Sequence, residues 1–434
     1  MTGRPRPAGG VEGSTAQEPQ RGAPEPLRLF TGRTAWFAIL GVAAVARLLF
    51  VALSPNVWQF LDSREYEDTA LSLYQHGTYG LHTVRAPGYP TLIAAVYVAF
   101  GPHLVALRLV EAALGIFSVA WIGVVATRVF GPGAGLLSAA LAALHPVLAF
   151  LPTIQYAENT LVFVVVLAFG AVFEAWRRGG LWRWAGSGVL WGLALLVRPN
   201  TVFALPGLAV GLGLALHRER RGWWAPALVG ITACALTLAP WIVRSHRVHG
   251  DWFFIATGGG RQMWIGNNPL AEADSRVAGF VPDSLMQAET SRLPNDIARE
   301  HYLYRLAFTY MRDHPGRTVV LYLREVRNLL AFYPETRSRV HINVWSRMAQ
   351  GLATAVMFTG ALIALFRLRS ETRLWVLACT AASFLLGSAF YFAILRYRMT
   401  VEPCLLWMAG AGWEAVLSRR ARPAPETAPS TSRP

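Results

Sequence analysis

Apolar residues in this chain gather into long runs, separated by short clusters of charge, glycine and proline. The first run covers 34–53. Others lie at 104–128, 133–151, 159–175, 184–197, 201–216, 223–243, 346–366, 374–391 and 400–417. A helix in a soluble core is shorter and keeps a polar stripe. A bilayer core of about 30 Å takes about 20 apolar residues as a helix, and a helix satisfies its own backbone polar groups where no water can. The expected fold class is an all-α polytopic membrane protein with about ten transmembrane helices.

The segments between the runs set the domain organisation. Residues 1–29 and 418–434 are rich in proline and charge, lack an apolar period, and read as disordered cytoplasmic tails. A transmembrane core spans 30–243, with a first outer loop at 54–103, and 346–417 holds the C-terminal transmembrane helices. The stretch 90–101 reads either as an interfacial helix or as a short span. Residues 244–345 are too long for a simple connection. Helical patterns at 293–313 and 315–332, with Pro315 at a helix start, make this an extracytoplasmic, mainly helical segment. No internal repeat is evident, which weakens a transporter built from duplicated halves.

Composition agrees: 54% of residues are hydrophobic and 15% charged, against about 25% charged in soluble domains. The net charge of +15 is carried by arginine alone. These arginines sit mostly at the ends of apolar runs, where the positive-inside rule places them, so the charge does not point to nucleic acid. Basic clusters at 177–183, 217–221, 367–373 and 419–420 fall on the side of the N-terminus. Both termini are then cytoplasmic. Cys234, Cys379 and Cys404 all fall in apolar runs and read as packing residues, with no disulfide or metal spacing.

Candidate chemistry lies in the outer connections. The first loop contains Asp62, Glu65 and Tyr66, then Arg85-Ala-Pro-Gly-Tyr-Pro. An acid at a membrane surface can take a proton from an acceptor hydroxyl or bind a metal. Equally, acids near a helix start can simply answer the helix dipole. Further on come His145-Pro146 with Tyr156 and Glu158, Leu196-Val-Arg198-Pro199, Gly266-Asn-Asn-Pro269, and Arg396-Tyr-Arg398 followed by Glu402. Arginine at outer span ends runs against the positive-inside bias and asks for a reason.

This ordered set resembles the lipid-linked-sugar glycosyltransferases of the GT-C type, and more narrowly the bacterial glycosyltransferase family 39-like proteins. Protein O-mannosyltransferases and the aminoarabinose transferases of lipid A are relatives. The resemblance runs over about 35–415. It departs from the family at one point: where an Asp-Glu pair is usual, Asp62 is followed by Ser63, and the next acid is Glu65. The resemblance implies an inverting transferase in a bacterial inner membrane. It implies a polyprenyl-phosphate-linked sugar as donor and a protein, lipid or polysaccharide as acceptor. Asp62 would be the general base; Arg85, Tyr66, Glu158, Arg198, Arg396 and Arg398 would be substrate-binding. No cofactor is implied; a divalent metal is compatible with the chemistry but not indicated. Two rivals remain open from the sequence: a transporter or flippase of lipid-linked sugars, using charges inside the spans such as Arg47, Arg108 and Glu111, and an inactive scaffold.

Overall fold

The computed structural model describes residues 32–58, 61–81, 84–271, 290–333 and 344–420. The expected tail 1–29 lies outside the described residues, as does most of 418–434. All the described regular structure is helical. Helix α1 (Arg33–Leu53) opens the bundle, and α2 (Leu61–His76) and α3 (Gly88–Phe100) fill the expected first loop. The core continues through α4 (Leu104–Phe130), α5 (Pro132–Leu144), the short α6 (Pro146–Phe150), α7 (Ala157–Arg178), α8 (Leu181–Val197), α9 (Leu205–Arg218) and α10 (Trp224–His249). The long connection contributes α11 (Gly259–Gly266), α12 (Asp296–Asp313) and α13 (Pro315–Leu329). Helices α14 (Val344–Arg367), α15 (Thr372–Ser388) and α16 (Glu402–Arg420) close the chain.

By length and composition, six described helices can cross a membrane: α1, α4, α7, α10, α14 and the continuous stretch Pro199–Arg218. The chain is a multi-pass membrane protein. Of the ten expected spans, 133–151 is instead a bent pair, Pro132–Leu144 and Pro146–Thr153, turned by 59°; counted as one span it makes a seventh. The break has a local cause. Pro146 disfavours helical backbone at the residue before it, and His145 is extended, with its Nδ1 accepting from Leu148 N–H at 3.4 Å. Helices α3, α8 and α15 are apolar but shorter. Helix α8 stops at Val197 because Pro199 follows, and α16 carries Glu402 and Glu414. For the undecided stretch 90–101, α3 has 13 residues, a rise of about 20 Å.

Burial ranks the helices. In α7, 72% of the span is buried inside the protein, against 11% in α1 and α10, so α7 is the axis of the bundle. Small residues let its neighbours close in. Gly412 of α16 faces the Gly360 carbonyl of α14, and Gly188 of α8 faces the Gly230 carbonyl of α10; a Cβ at either position has no room.

The expected helices at 293–313 and 315–332 correspond to α12 and α13, and Pro315 sits in the first turn of α13. Asn295 caps α12 by accepting from Ala298 N–H at 2.8 Å. Residues 272–289 and 334–343 of this segment lie outside the described residues.

Candidate active site

Asp62 stands in the first turn of α2. Asp62, Glu65 and Tyr66 lie three and four residues apart and share one helix face. Ser63 faces the other way: its buried hydroxyl donates to the Ile154 carbonyl at 2.7 Å and docks α2 on the turn before α7. The position where the resemblance implies a second acid is therefore an anchor here. Glu65, one turn along, supplies the second carboxylate.

Arg85 comes from the bend before Pro87. Its guanidinium meets Asp62 Oδ1 at 2.9 Å and Glu65 Oε2 at 2.6 Å, and lies over the Tyr66 ring at 5.1 Å. Tyr66 is buried edge-on against Tyr89, with ring centroids 5.0 Å apart. Arg396 arrives from the turn Leu395–Thr400 and donates to Asp62 Oδ2 at 2.9 Å. It lies over Tyr156 at 4.4 Å and has Nε 3.6 Å from Glu158 Oε1. Glu158, buried in the first turn of α7, also pairs with Arg198, which lies over Tyr397 at 4.6 Å. The result is one chain of alternating charge, Glu65–Arg85–Asp62–Arg396–Glu158–Arg198, assembled from distant segments.

Asp62, Tyr66, Arg85, Arg198 and Arg396 line a cavity of about 380 Å³, within the range of small-molecule sites. Burial pushes the Asp62 carboxyl up, but the charges and hydrogen bonds of Arg396 and Arg85 outweigh it and hold it down at about 2. Glu158 stands behind Arg198 and Arg396 and fixes them.

Arg398 is placed differently from Arg396. It does not line the cavity. Fully buried, it bonds Glu402 at 2.7 Å and donates to the carbonyls of Leu329 at 3.2 Å and Ala331 at 2.9 Å. His145 Nε2 meets the same Glu402 at 2.9 Å. His145 Nδ1 accepts a backbone N–H, which leaves Nε2 on the side of Glu402. This cluster pins the end of α13 to the 395–400 turn. Alternate residues of a tight turn face opposite ways, which separates Arg396 from Arg398.

The charges expected inside spans are also accounted for. Arg108 and Glu111 do not pair: Arg108 donates to the carbonyls of Pro55 at 2.9 Å and Val57 at 3.3 Å, while Glu111 accepts from Asn159 and, at 2.9 Å, from Thr160. Buried Arg47 donates to Ala43 O at 3.1 Å.

The same cavity is also walled by residues without a sequence signal: Glu300, His301 and Tyr304 of α12, and Tyr391. Glu300 sits on a charged, amphipathic helix, where an acid reads as solvated. Burial pushes its carboxyl up to about 7, against the opposing pull of the Gly260 and Gly259 N–H groups. The glycine run 258–260 serves helix contact: a Cβ at Gly259 meets the Tyr304 hydroxyl, and one at Gly260 the Glu300 backbone. Asn267 and Asn268 cap α11 through the carbonyls of Met263 and Trp264 at 3.0 and 2.8 Å. Among the described residues no group of three or more His, Cys, Asp or Glu is placed to hold a metal; Asp62, Glu65 and Glu158 face guanidinium groups rather than one another.

Residues 84–243 match the family described as dolichyl-phosphate-mannose-protein mannosyltransferase, a stretch that contains Arg85, Glu158 and Arg198. The fold matches the archaeal oligosaccharyltransferase AglB from Archaeoglobus fulgidus, solved with an inhibitory peptide and a dolichol-phosphate, with a TM-score of 0.54 at 13% identity. The chain shares the fold of this membrane-embedded oligosaccharyltransferase, and its 84–243 stretch is similar to the mannosyltransferase family. The AglB match covers 89% of this chain and 51% of that one, so this chain spans about half the length of its archaeal neighbour. AglB tethered to an acceptor peptide gives a TM-score of 0.53 at 14% identity, covering 90% and 50% of the two chains. ArnT from Cupriavidus metallidurans, bound to undecaprenyl phosphate, aligns at 16% identity over 88% of this chain and 79% of its own, with a TM-score of 0.45. No curated protein sequence matches significantly.

Proposed function

We propose that this protein transfers one sugar from a polyprenyl-phosphate donor to an acceptor at the extracytoplasmic face of a bacterial inner membrane, with Asp62 as general base. The observation that carries this reading is the Asp62 carboxylate held at 2.9 Å by both Arg85 and Arg396 on the wall of one cavity. The family name on 84–243 and the dolichol-phosphate bound by AglB support the donor class.

In this reading the acceptor hydroxyl oxygen attacks the anomeric carbon, and the bond from that carbon to the phosphate oxygen breaks with its electron pair going to phosphate. The hydroxyl proton passes to Asp62, and configuration inverts. A phosphate needs no strong acid to leave, but it needs positive charge, and arginine offers a bidentate fork. Arg85, Arg396 and Arg198 supply that charge. With its carboxyl held at about 2, Asp62 is a weak base in the empty site. A donor phosphate that engages Arg85 and Arg396 draws them off the carboxylate and makes it a stronger base as the reacting groups come together.

A transporter or flippase is the alternative, and it calls for charges along a path through the spans. Arg108 and Glu111 are instead bonded to neighbouring helices and turns. The deciding experiment incubates wild-type and Asp62→Asn protein with labelled polyprenyl-phosphate sugars and a membrane acceptor extract. Transfer by wild type and its loss in Asp62→Asn are expected. Equal transfer by both removes the assigned mechanism, and flux into liposomes without any transfer favours the transporter.

A further inference from the structure

A second cleft, of about 160 Å³, opens at the other end of α7. From Glu158 in its first turn to Arg177 in its last, α7 rises about 28 Å at 1.5 Å per residue, close to the thickness of a bilayer core. The two sites therefore face opposite membrane surfaces. Four arginines line this cleft, Arg128, Arg177, Arg221 and Arg373, against two carboxylates, Glu174 and Glu219. Its floor is apolar, formed by Val125, Val129 and Phe173.

The rim is built rather than loose. Arg221 donates to the Trp176 carbonyl at 2.5 Å and Arg373 to the Val129 carbonyl at 3.1 Å, capping the C-terminal ends of α7 and α4. The Trp176 indole donates to Glu219 at 3.0 Å. Glu174 is shared by Arg177 at 2.9 Å, Arg178 at 2.5 Å and Arg128 at 4.0 Å. One carboxylate cannot neutralise three guanidinium groups, and Arg128 is held most loosely, lying also over the Trp121 ring at 5.8 Å.

We infer that this cleft binds the phosphate of an anionic phospholipid headgroup, with the glycerol and first acyl carbons against its apolar floor. A basic pocket between transmembrane helices at a membrane surface has the charge and position such a lipid needs. The floor is what separates a lipid from a free phosphate, which gains nothing from Val125, Val129 or Phe173.

Native mass spectrometry of the full chain in detergent tests this, with phosphatidylglycerol, phosphatidylcholine of the same acyl chains, and inorganic phosphate as probes. Wild type retains phosphatidylglycerol better than phosphatidylcholine, and Arg128→Gln weakens that retention about twofold, the scale of an exposed charge pair. Arg128→Gln with Arg373→Gln brings it down to the phosphatidylcholine level. Arg85→Gln, at the other end of the bundle, leaves it unchanged. Because Arg128 is half exposed and caps no helix, its variant also reads binding where the double variant fails to fold. Equal retention of the two lipids by wild type, or retention unaffected by Arg128→Gln, overturns the assignment. So does loss in Arg85→Gln, which moves the lipid to the other cavity, or displacement of phosphatidylglycerol by an equal concentration of inorganic phosphate, which makes the ligand a free anion.

Discussion

Arg396 donates to Asp62 at 2.9 Å across 334 residues of chain. With Arg85 on the other oxygen, also at 2.9 Å, the carboxylate is fully engaged. Asp62→Asn keeps the shape and both arginines but removes the proton acceptor. Turnover is expected to fall by about 10²–10⁴-fold, the usual worth of a positioned base. Donor binding should persist or tighten, because the arginines lose a competitor. Labelled-sugar transfer and donor titration on the same preparation separate the two effects.

The pH dependence follows from the same pair of contacts. The rate at low donor concentration reports the free enzyme. Its acid limb should lie below the ordinary carboxylate range, since Asp62 is held at about 2. Arg85→Gln removes one of the two positive charges and shifts that limb to higher pH. An acid limb that stays in place in Arg85→Gln argues that a group other than Asp62 takes the proton.

Arg396 and Arg398 should fail differently. Arg398 and Glu402 are both fully buried, and removing one member of a buried pair strands the other at a cost of about 3–5 kcal/mol. Arg398→Gln is expected to lower thermal stability strongly, whereas Arg396→Gln, whose side chain is 26% exposed, costs less stability and abolishes transfer. Thermal unfolding in detergent beside a transfer assay checks the contrast. Equal instability in the two variants contradicts the placement of Arg396 at the cavity.

Ser63 tests the departure from the pattern that the resemblance implies. Ser63→Ala loses one buried hydrogen bond, at about 1 kcal/mol, with transfer retained. Ser63→Glu restores the usual acidic pair on paper but buries a carboxylate against the Ile154 carbonyl, so destabilisation rather than higher activity is expected. A more active Ser63→Glu protein shows the anchor to be dispensable.

Glu300 gives a stability signature. Its folded-state carboxyl is raised to about 7, so between the unfolded value of about 4.3 and 7 the folded state holds a proton that the unfolded state has released. Stability from this group therefore falls as pH rises through that window and levels off above it. Glu300→Gln, which cannot ionise, should flatten the decline in melting temperature between pH 5 and pH 7.5, conditions chosen to bracket the shift.

The membrane architecture was legible because lipid demands unbroken apolar runs, and such runs cannot hide. Arg85, Arg198 and Arg396 stood out for a related reason: an arginine at an outer span end runs against the expected bias, whereas Asp62 and Glu158 stood out only through their place in the outer loops and the resemblance. Glu300 and Tyr304 did not stand out, because a soluble-facing helix carries charges and tyrosines everywhere, and only its docking on α11 shows which ones turn inward. The separation of Arg396 from Arg398 needed the backbone path of the 395–400 turn. The bend after α5 had its cue in His145-Pro146, yet apolarity on both sides of the pair made the run look continuous.

The span of chain between Asp62 and Arg396 also has a temporal side. During synthesis Asp62 and Arg85 leave the ribosome long before the 395–400 turn exists. Until that turn docks, Asp62 and Glu158 each lack one of their cationic partners. The nascent protein can thus insert most of its helices while the cavity wall is still unbalanced in charge. Only when the 395–400 turn has been made can Arg396 complete the alternating chain of charge.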